Sequence, residues 1–255
     1  MPRTLTASTC TFVGRRKRNE DALVASPELG LFAVVDGMGG YAGGALASAG
    51  AVEALADFFA STDADPEATW PFAHDRKLSM AENRVDAAVR LANRRIRDRR
   101  VGEVRDMGAT LALIAVRPRG AVIGHLGDSR IYRLRRGAGA TLEHLTVDHS
   151  LYEQLRAGGV DLPPLADFVH ANVVTRALGP HEDERPELRS LEIAGGDRFL
   201  LCTDGLSGPL DDAAIAAILG AAPIDGAADR LVQAAYDAGS RDNITAVVVE
   251  VGEAV

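Results

Sequence analysis

Four acidic loop motifs stand at wide intervals along this chain: Asn19-Glu20-Asp21, Asp36-Gly37-Met38-Gly39-Gly40, Asp204-Gly205 and Asp242-Asn243. Three of them abut an apolar run that reads as a β-strand. Leu31–Val35 runs straight into Asp36, Phe199–Cys202 stops just short of Asp204, and Ile244–Val249 starts just after Asn243. A single Asp-Gly is an ordinary turn. Several carboxylates at strand ends on tight Gly-rich turns are a different matter. They suit a hard divalent cation, because Mg²⁺ and Mn²⁺ favour oxygen ligands and keep several waters. Any fold of this chain must therefore bring distant strand ends to one place.

Composition narrows the partners. The net charge is −8, with Lys17 and Lys77 as the only lysines. A nucleic-acid binder shows a basic surplus, so nucleic acid is not expected as a partner. No apolar run reaches the roughly 18–20 residues of a membrane span, so none is expected. The first residues carry no apolar signal core, and a cytoplasmic protein is expected. Cys10 and Cys202 lie in strand-like runs and read as buried thiols, not a disulfide. Two basic clusters, 15–18 and 94–100, read as a loop with one arginine turned to the acidic site and as a solvated helix end.

The patterning predicts strands at Thr4–Phe12 and Leu31–Val35, joined by the basic-acidic loop, then a small-residue helix over Ala45–Phe59. A polar connection follows at Ser61–Pro71. Met80–Arg99 is the clearest helix, with Ala81, Val85, Ala88, Val89, Ala92 and Ile96 on one face. Strands at Thr110–Val116, Ala121–His125 and Ile131–Leu134 are split by short turns at 118–120 and 127–129, which predicts antiparallel neighbours. Leu151–Ala171 reads as irregular, with Gly158-Gly159 and Pro163-Pro164. Strands resume at Asn172–Thr175, Leu188–Ile193 and Arg198–Cys202. Helices over Asp211–Leu219 and Ala227–Ala238 precede a last strand, Ile244–Val251. No repeat or linker divides the chain, so one domain over 1–255 is expected. Strands in hairpins with helices in separate blocks argue for an α+β layering.

Several decoys fail. Gly37-x-Gly39-x-x-Ala42 loosely fits a dinucleotide fingerprint, but Asp36 stands where a pyrophosphate would approach, Asp57 lies inside a helix, and no parallel βαβ unit follows. Gly-x-Ser-x-Gly is absent, so Ser129 reads as structural. The histidines show no metal-ligand spacing. His125 reads as a sheet residue and His149 as a fixture of its loop.

Seven motifs run in a fixed order: Arg16-x-x-Asn19-Glu20-Asp21, Asp36-Gly-Met-Gly-Gly40, Gly127-Asp-Ser-Arg130, Leu145-Thr-x-Asp148-His149-Ser150, Thr175-Arg-Ala-Leu-Gly179, Cys202-Thr-Asp-Gly-Leu206 and Asp242-Asn-Ile-Thr245. Order, spacing and wording resemble the metal-dependent Ser/Thr protein phosphatases of the PPM, or type 2C, family in their bacterial form. The resemblance covers about Thr4 to Val251. It implies a central antiparallel β-sandwich flanked by helices on both sides, with 151–171 as a flap beside the cleft. It implies two Mn²⁺ or Mg²⁺ per site, with a metal-activated bridging water attacking phosphoserine or phosphothreonine. Asp36 would bridge both metals, and the Gly37 carbonyl would take a position on the second. Asp204 and Asp242 would ligate the first. Glu20 and Asp21 would hold waters of the metal shells, and Arg16 would grip the phosphate. Asp128 matches a position that helps bind a weaker third metal, and Asn243 would support the ligands from behind. Animal members carry a histidine, proposed as general acid, where this chain has Met38, so a water held by the metals is the expected acid. The implied partners are phosphoprotein substrates of a bacterial Ser/Thr kinase, met by a monomer.

Overall fold

The computed structural model describes residues 3–40, 42–65, 67–118, 120–135, 141–221 and 223–254. In chain order its elements are β1 (Arg3–Phe12), β2 (Asp21–Ser26), β3 (Leu31–Met38), α1 (Gly43–Ala64), α2 (Met80–Asp98), β4 (Gly108–Ala109), β5 (Leu111–Arg117) and β6 (Gly120–Leu126). There follow β7 (Arg130–Arg135), β8 (Thr141–His144), α3 (Leu151–Ala157), β9 (Glu187–Leu191), β10 (Arg198–Cys202), α4 (Asp204–Ser207), α5 (Asp212–Gly220), α6 (Ala227–Asp237) and β11 (Ile244–Ala254). One sheet runs β1-β11-β10-β7-β8. The other runs β2-β3-β5-β6-β9, with β4 paired to the end of β3. All these pairings are antiparallel.

Period-two alternation sorts each central strand between two cores. Phe32 and Val34 of β3, Phe199 and Leu201 of β10, and Val247 and Val249 of β11 pack together between the sheets. The alternate residues Leu31, Ala33 and Val35 face outward against α1 and α2. On the far side Leu200, Cys202, Ala246 and Val248 face α5 and α6. Both faces of β3 are covered, which explains why Leu31–Val35 is fully buried. The result is an α-β-β-α sandwich, as the resemblance implied.

Local signals set the helices. Ser79 and Glu82 form a reciprocal capping box at the start of α2, and Val85, Ala88, Val89, Ala92 and Ile96 give its buried stripe. On α1, Gly43, Gly44, Ala47, Gly50, Ala51 and Ala54 let the helix lie close on β3 and α2.

The structure departs from the sequence expectations in several places. The basic-acidic loop ends at Asp21, where an unexpected strand, β2, begins; its short run Ala22–Ser26 lacks an aromatic residue and is half-buried. The helix expected to end at Phe59 continues to Ala64. Asn172–Thr175 is not a strand and makes only an isolated bridge, Ser150 to Val174. Leu151–Ala171 is not wholly irregular. It opens on α3, whose cap is the Ser150 hydroxyl accepting from Glu153 N–H, and holds a short 3₁₀ turn at Leu165–Asp167. β8 was not anticipated. Arg119 of the expected turn and Pro66 of the polar connection lie outside the described residues.

The most consequential difference concerns β6 and β7. They are not antiparallel neighbours: β6 belongs to one sheet and β7 to the other. Residues 127–129 cross between the sheets. Gly127 makes the crossing at φ +101, against the Thr110 side chain, where a Cβ would be both strained and crowded. Asp128 is thereby held between the two sheets at one end of the sandwich.

Candidate metal centre and cleft

Acidic residues reach this end from both sheets. Asp21 and Asp36 face each other in register on β2 and β3. Asp204 starts α4 directly after β10, and Asp242 precedes β11. Asp128 comes from the crossing. Arg16, Asp36, Asp128, Asp204 and Asp242 line one open cleft of about 680 Å³. Glu20, Gly37 and Asn243 line an adjoining recess that shares Arg16, Asp36, Met38 and Asp242 with it. Asp21 lies deeper, behind Asp36. All nine residues singled out from the sequence therefore meet in one region.

The backbone at Gly37 explains part of that convergence. Its N–H donates to Glu20 O at 3.1 Å, and a Cβ there would strike the Gly44 and Glu20 carbonyls. Only glycine admits so close an approach of three segments. Asn243 latches the Arg16 loop instead of facing the cleft. Its Nδ2 donates to Val13 O and Arg18 O, both at 2.9 Å, and its Oδ1 accepts from Glu20 N–H at 2.9 Å. Arg16 reaches Asp242 Oδ2 at 2.6 Å and Arg241 O at 3.2 Å, with its side chain 56% exposed.

Hydroxyl residues that the sequence reading left without a role complete the support. Thr245 and Thr203 both donate to Asp21 Oδ2, at 2.6 and 2.9 Å. Asp36 N–H donates to the Thr110 hydroxyl, which is 2.7 Å from Ser129 Oγ. Position gave a usable signal: Thr203 directly precedes Asp204, and Thr245 lies in the motif that starts at Asp242.

The carboxylates resist ionising together. Burial pushes Asp21 up to about 7; the Thr245 and Thr203 hydroxyls oppose that, while the charges of Asp204 and Asp242 add to it. Burial, then Asp204 and Asp148, push Asp128 up to about 7. Asp36 is raised well above the carboxylate range by burial, then by Asp21, Asp204, Asp128 and Asp242. Asp204 is raised by burial and by Asp242, against a hydrogen bond with Asp36. Asp21 Oδ1 and Asp204 Oδ1 are buried without a hydrogen-bond partner. Orphaned anionic oxygens amid like charge fit divalent cations, which satisfy the oxygens and offset the repulsion.

A second group, His125, His149 and Glu187, brings potential ligand atoms within 4.8 Å of one another. The hydrogen bonds of His149 argue against its serving as a ligand, while His125 Nδ1 is buried without a partner. His125 Nε2 donates to Ser129 O at 2.8 Å. Gly127 N–H donates to His149 Nδ1 at 3.0 Å, so the ring proton lies on Nε2, facing Glu187 Oε2 at 3.1 Å. Arg176 Nη1 stands 3.3 Å from that same Nε2. A protonated nitrogen beside a guanidinium has no lone pair for a cation. The group braces the loop around Asp128, consistent with a loop-fixing role for His149.

Residues 13–223 match a family described as protein phosphatase 2C. The chain belongs to the protein phosphatase 2C family. It is 36% identical over 239 residues to the serine/threonine protein phosphatase PstP of Mycobacterium tuberculosis, a match covering 92% of this chain and 43% of that protein. The chain thus spans less than half the length of this relative. It is 31% identical over 225 residues to the protein phosphatase PhpP of Streptococcus pneumoniae, covering 86% of this chain and 85% of PhpP. Among solved structures, the Mycobacterium tuberculosis phosphatase PstP/Ppp superposes with a TM-score of 0.84 at 33% identity, covering 98% of this chain and 99% of that one. A PstP catalytic domain in complex with two manganese ions gives 0.82 at 33% identity, covering 99% and 100%.

Proposed function

We propose that this member of the protein phosphatase 2C family is a metal-dependent protein phosphatase acting on phosphoserine and phosphothreonine, with residues 1–255 as one catalytic unit and about 151–171 as its flap. One observation carries the reading: carboxylates from both sheets converge on an open cleft beside Arg16. Asp36, Asp204, Asp242 and the Gly37 carbonyl would hold two divalent cations, Mn²⁺ or Mg²⁺, and Asp128 would help hold a weaker third. Such a pair supplies an activated water nucleophile and neutralises charge developing on the phosphoryl group.

The chain's own residues do the rest. Arg16, whose guanidinium is largely exposed, turns from Asp242 to grip two phosphoryl oxygens, a geometry that its planar fork favours. Glu20 and Asp21 orient water by accepting hydrogen bonds. Thr203 and Thr245 hold Asp21 in place. Asn243 fixes the loop that carries Arg16 and Glu20. Met38 lines the cleft and offers no proton, so the leaving alkoxide takes its proton from water.

No helix among the described residues is long and apolar enough to cross a membrane. Both cysteines are free thiols, which fits a reducing compartment, and we assign the cytoplasm as the setting. We assign the enzyme, as a monomer, to opposing a bacterial Ser/Thr kinase. The test is phosphate release from phosphothreonine and phosphoserine peptides with Mn²⁺, alongside phosphoproteomics of a deletion strain. Sites that gain phosphate should be serine and threonine. An inert enzyme on both peptides at saturating Mn²⁺ would overturn the reading.

A further inference from the structure

The cleft continues in two directions, and the two wings differ in charge. On one side lies the recess of about 590 Å³ lined by Lys17 and Arg18 together with Glu20, Asp36 and Asp242. On the other, a recess of about 480 Å³ runs under the flap, past Arg130, Asp148, Tyr152, Glu153 and Leu165. Both join the central cleft, one through Asp36 and Asp242, the other through Asp128 and Asp204.

The cations on the two sides are not equally available. Under the flap, Arg130 is committed to Asp148 by bonds of 2.9 Å from Nε and 2.7 Å from Nη2. On the opposite side Arg16 pairs with Asp242, and Arg15 donates to Ser240 O and Tyr236 O. Lys17 is exposed and, among the described residues, makes no hydrogen bond or ion pair. Its backbone is nonetheless held, because Asn243 Nδ2 donates to Val13 O and Arg18 O on either side of it. A lone ammonium on a fixed loop at the rim of a phosphoryl site is a ready partner for a carboxylate. In this recess Asp36 and Asp242 would hold cations, Asp242 pairs with Arg16, and Glu20 would orient water, so none of the three forms an ion pair with Lys17.

We propose that Lys17 selects phosphoprotein segments carrying an aspartate or glutamate near the phosphoresidue on one side of it, with no such preference on the other. The inference rests on the phosphatase reading and adds the substrate class. The occupant of the Lys17 recess is an acidic side chain of the substrate.

The experiment compares phosphothreonine peptides bearing Glu, Gln or Lys at successive positions before and after the phosphoresidue. Turnover with Mn²⁺ is measured for the wild type, Lys17→Gln and Lys17→Glu. Competition by a non-hydrolysable phosphonate analogue of the same peptides reports binding directly. On one side only, Glu should be favoured over Lys by up to about fivefold, the reach of an exposed ion pair. The gain should lie in KM. It should vanish in Lys17→Gln, reverse in Lys17→Glu, and fade as ionic strength rises toward about 1 M. A response independent of charge at every position would overturn the proposal. So would an equal preference on both sides, or one unaltered by Lys17→Glu. A small aryl phosphate, run alongside, separates the two ideas. If the wild type turns over neither it nor any peptide, the phosphatase reading itself fails.

Discussion

At the residue scale, Asp21 shows how a buried carboxylate is kept ready. Its Oδ2 takes both threonine hydroxyls, which leaves Oδ1 orphaned. Losing an outer partner of this kind costs about 10–100-fold in metal affinity or activity. Thr245→Val should therefore weaken Mn²⁺ binding by that factor, read by isothermal titration; unchanged affinity would mean that the hydroxyl is not part of the support. The raised carboxylates also set a pH dependence. An unfolded aspartate titrates near 3.9. Asp21 and Asp128 sit near 7 when folded, and Asp36 is raised as well. Between those values the folded, metal-free chain binds more protons than the unfolded one, so these groups lower its stability as pH rises from about 4 through about 7. Asp36→Asn removes part of that penalty. It should raise the Tm of chelator-treated protein more at pH 7.5 than at pH 5.5, and an equal shift at both would refute the electrostatic origin. Arg16→Ala should raise KM for a phosphate monoester more than it lowers kcat, because the fork binds ground and transition states alike. A loss confined to kcat would give Arg16 a different role.

At the element scale, two segments divide stability from specificity. Arg198 on β10 is 1% exposed, donates to Glu250 Oε2 at 2.6 Å, and caps the end of α5 through Leu219 O and Ala221 O. Glu250 is half-buried and stays partly hydrated without the arginine, so the cost lies mainly in the Leu219 and Ala221 carbonyls left without a donor, about 1–3 kcal/mol. Arg198→Met should fall in that range by urea unfolding, while the folded fraction keeps its turnover; a cost below about 1 kcal/mol would show that the arginine merely fills space. The flap behaves differently. Its root is closed by Leu151 N–H to Val173 O and Thr175 N–H to His149 O, each at 2.8 Å. Between them Val160, Leu165, Val169 and Val173 are 41–91% exposed. Replacing 151–171 by a short Gly/Ser loop should leave aryl phosphate turnover within about tenfold, about 1.4 kcal/mol of barrier. The same change should reduce kcat/KM on a phosphopeptide considerably more. Equal losses in a folded variant would mean that the flap serves the acidic centre itself.

At the scale of the whole molecule, the sandwich exists in this form because alternating strands feed three cores, and the site lies where the ends of both sheets meet. Much of this was legible in the sequence. Leu31–Val35, Phe199–Cys202 and the stripe on α2 declare strand and helix through their periodicity, and the acids stand out because they follow those strands. Other parts were hidden for physical reasons. Ala22–Ser26 is short and carries only Val24 as a β-branched residue, so it does not announce a strand, and it forms one because β3 offers it an edge. The 127–129 turn has the length of a hairpin, and only long-range pairing with β10 decides that β7 leaves for the other sheet. Thr203 and Thr245 look like ordinary strand threonines until Asp21 arrives from a distant part of the chain. The central claim is that cations held by this cluster run phosphate ester hydrolysis. It is tested most directly by titrating Mn²⁺ into chelator-treated protein while counting bound ions by equilibrium dialysis and following phosphate release from a phosphothreonine peptide. Turnover should be absent without metal, should rise as about two ions bind per chain, and should be lost in Asp36→Ala and Asp204→Ala. Undiminished turnover in the chelated enzyme, or wild-type kcat in Asp36→Ala at saturating Mn²⁺, would contradict it.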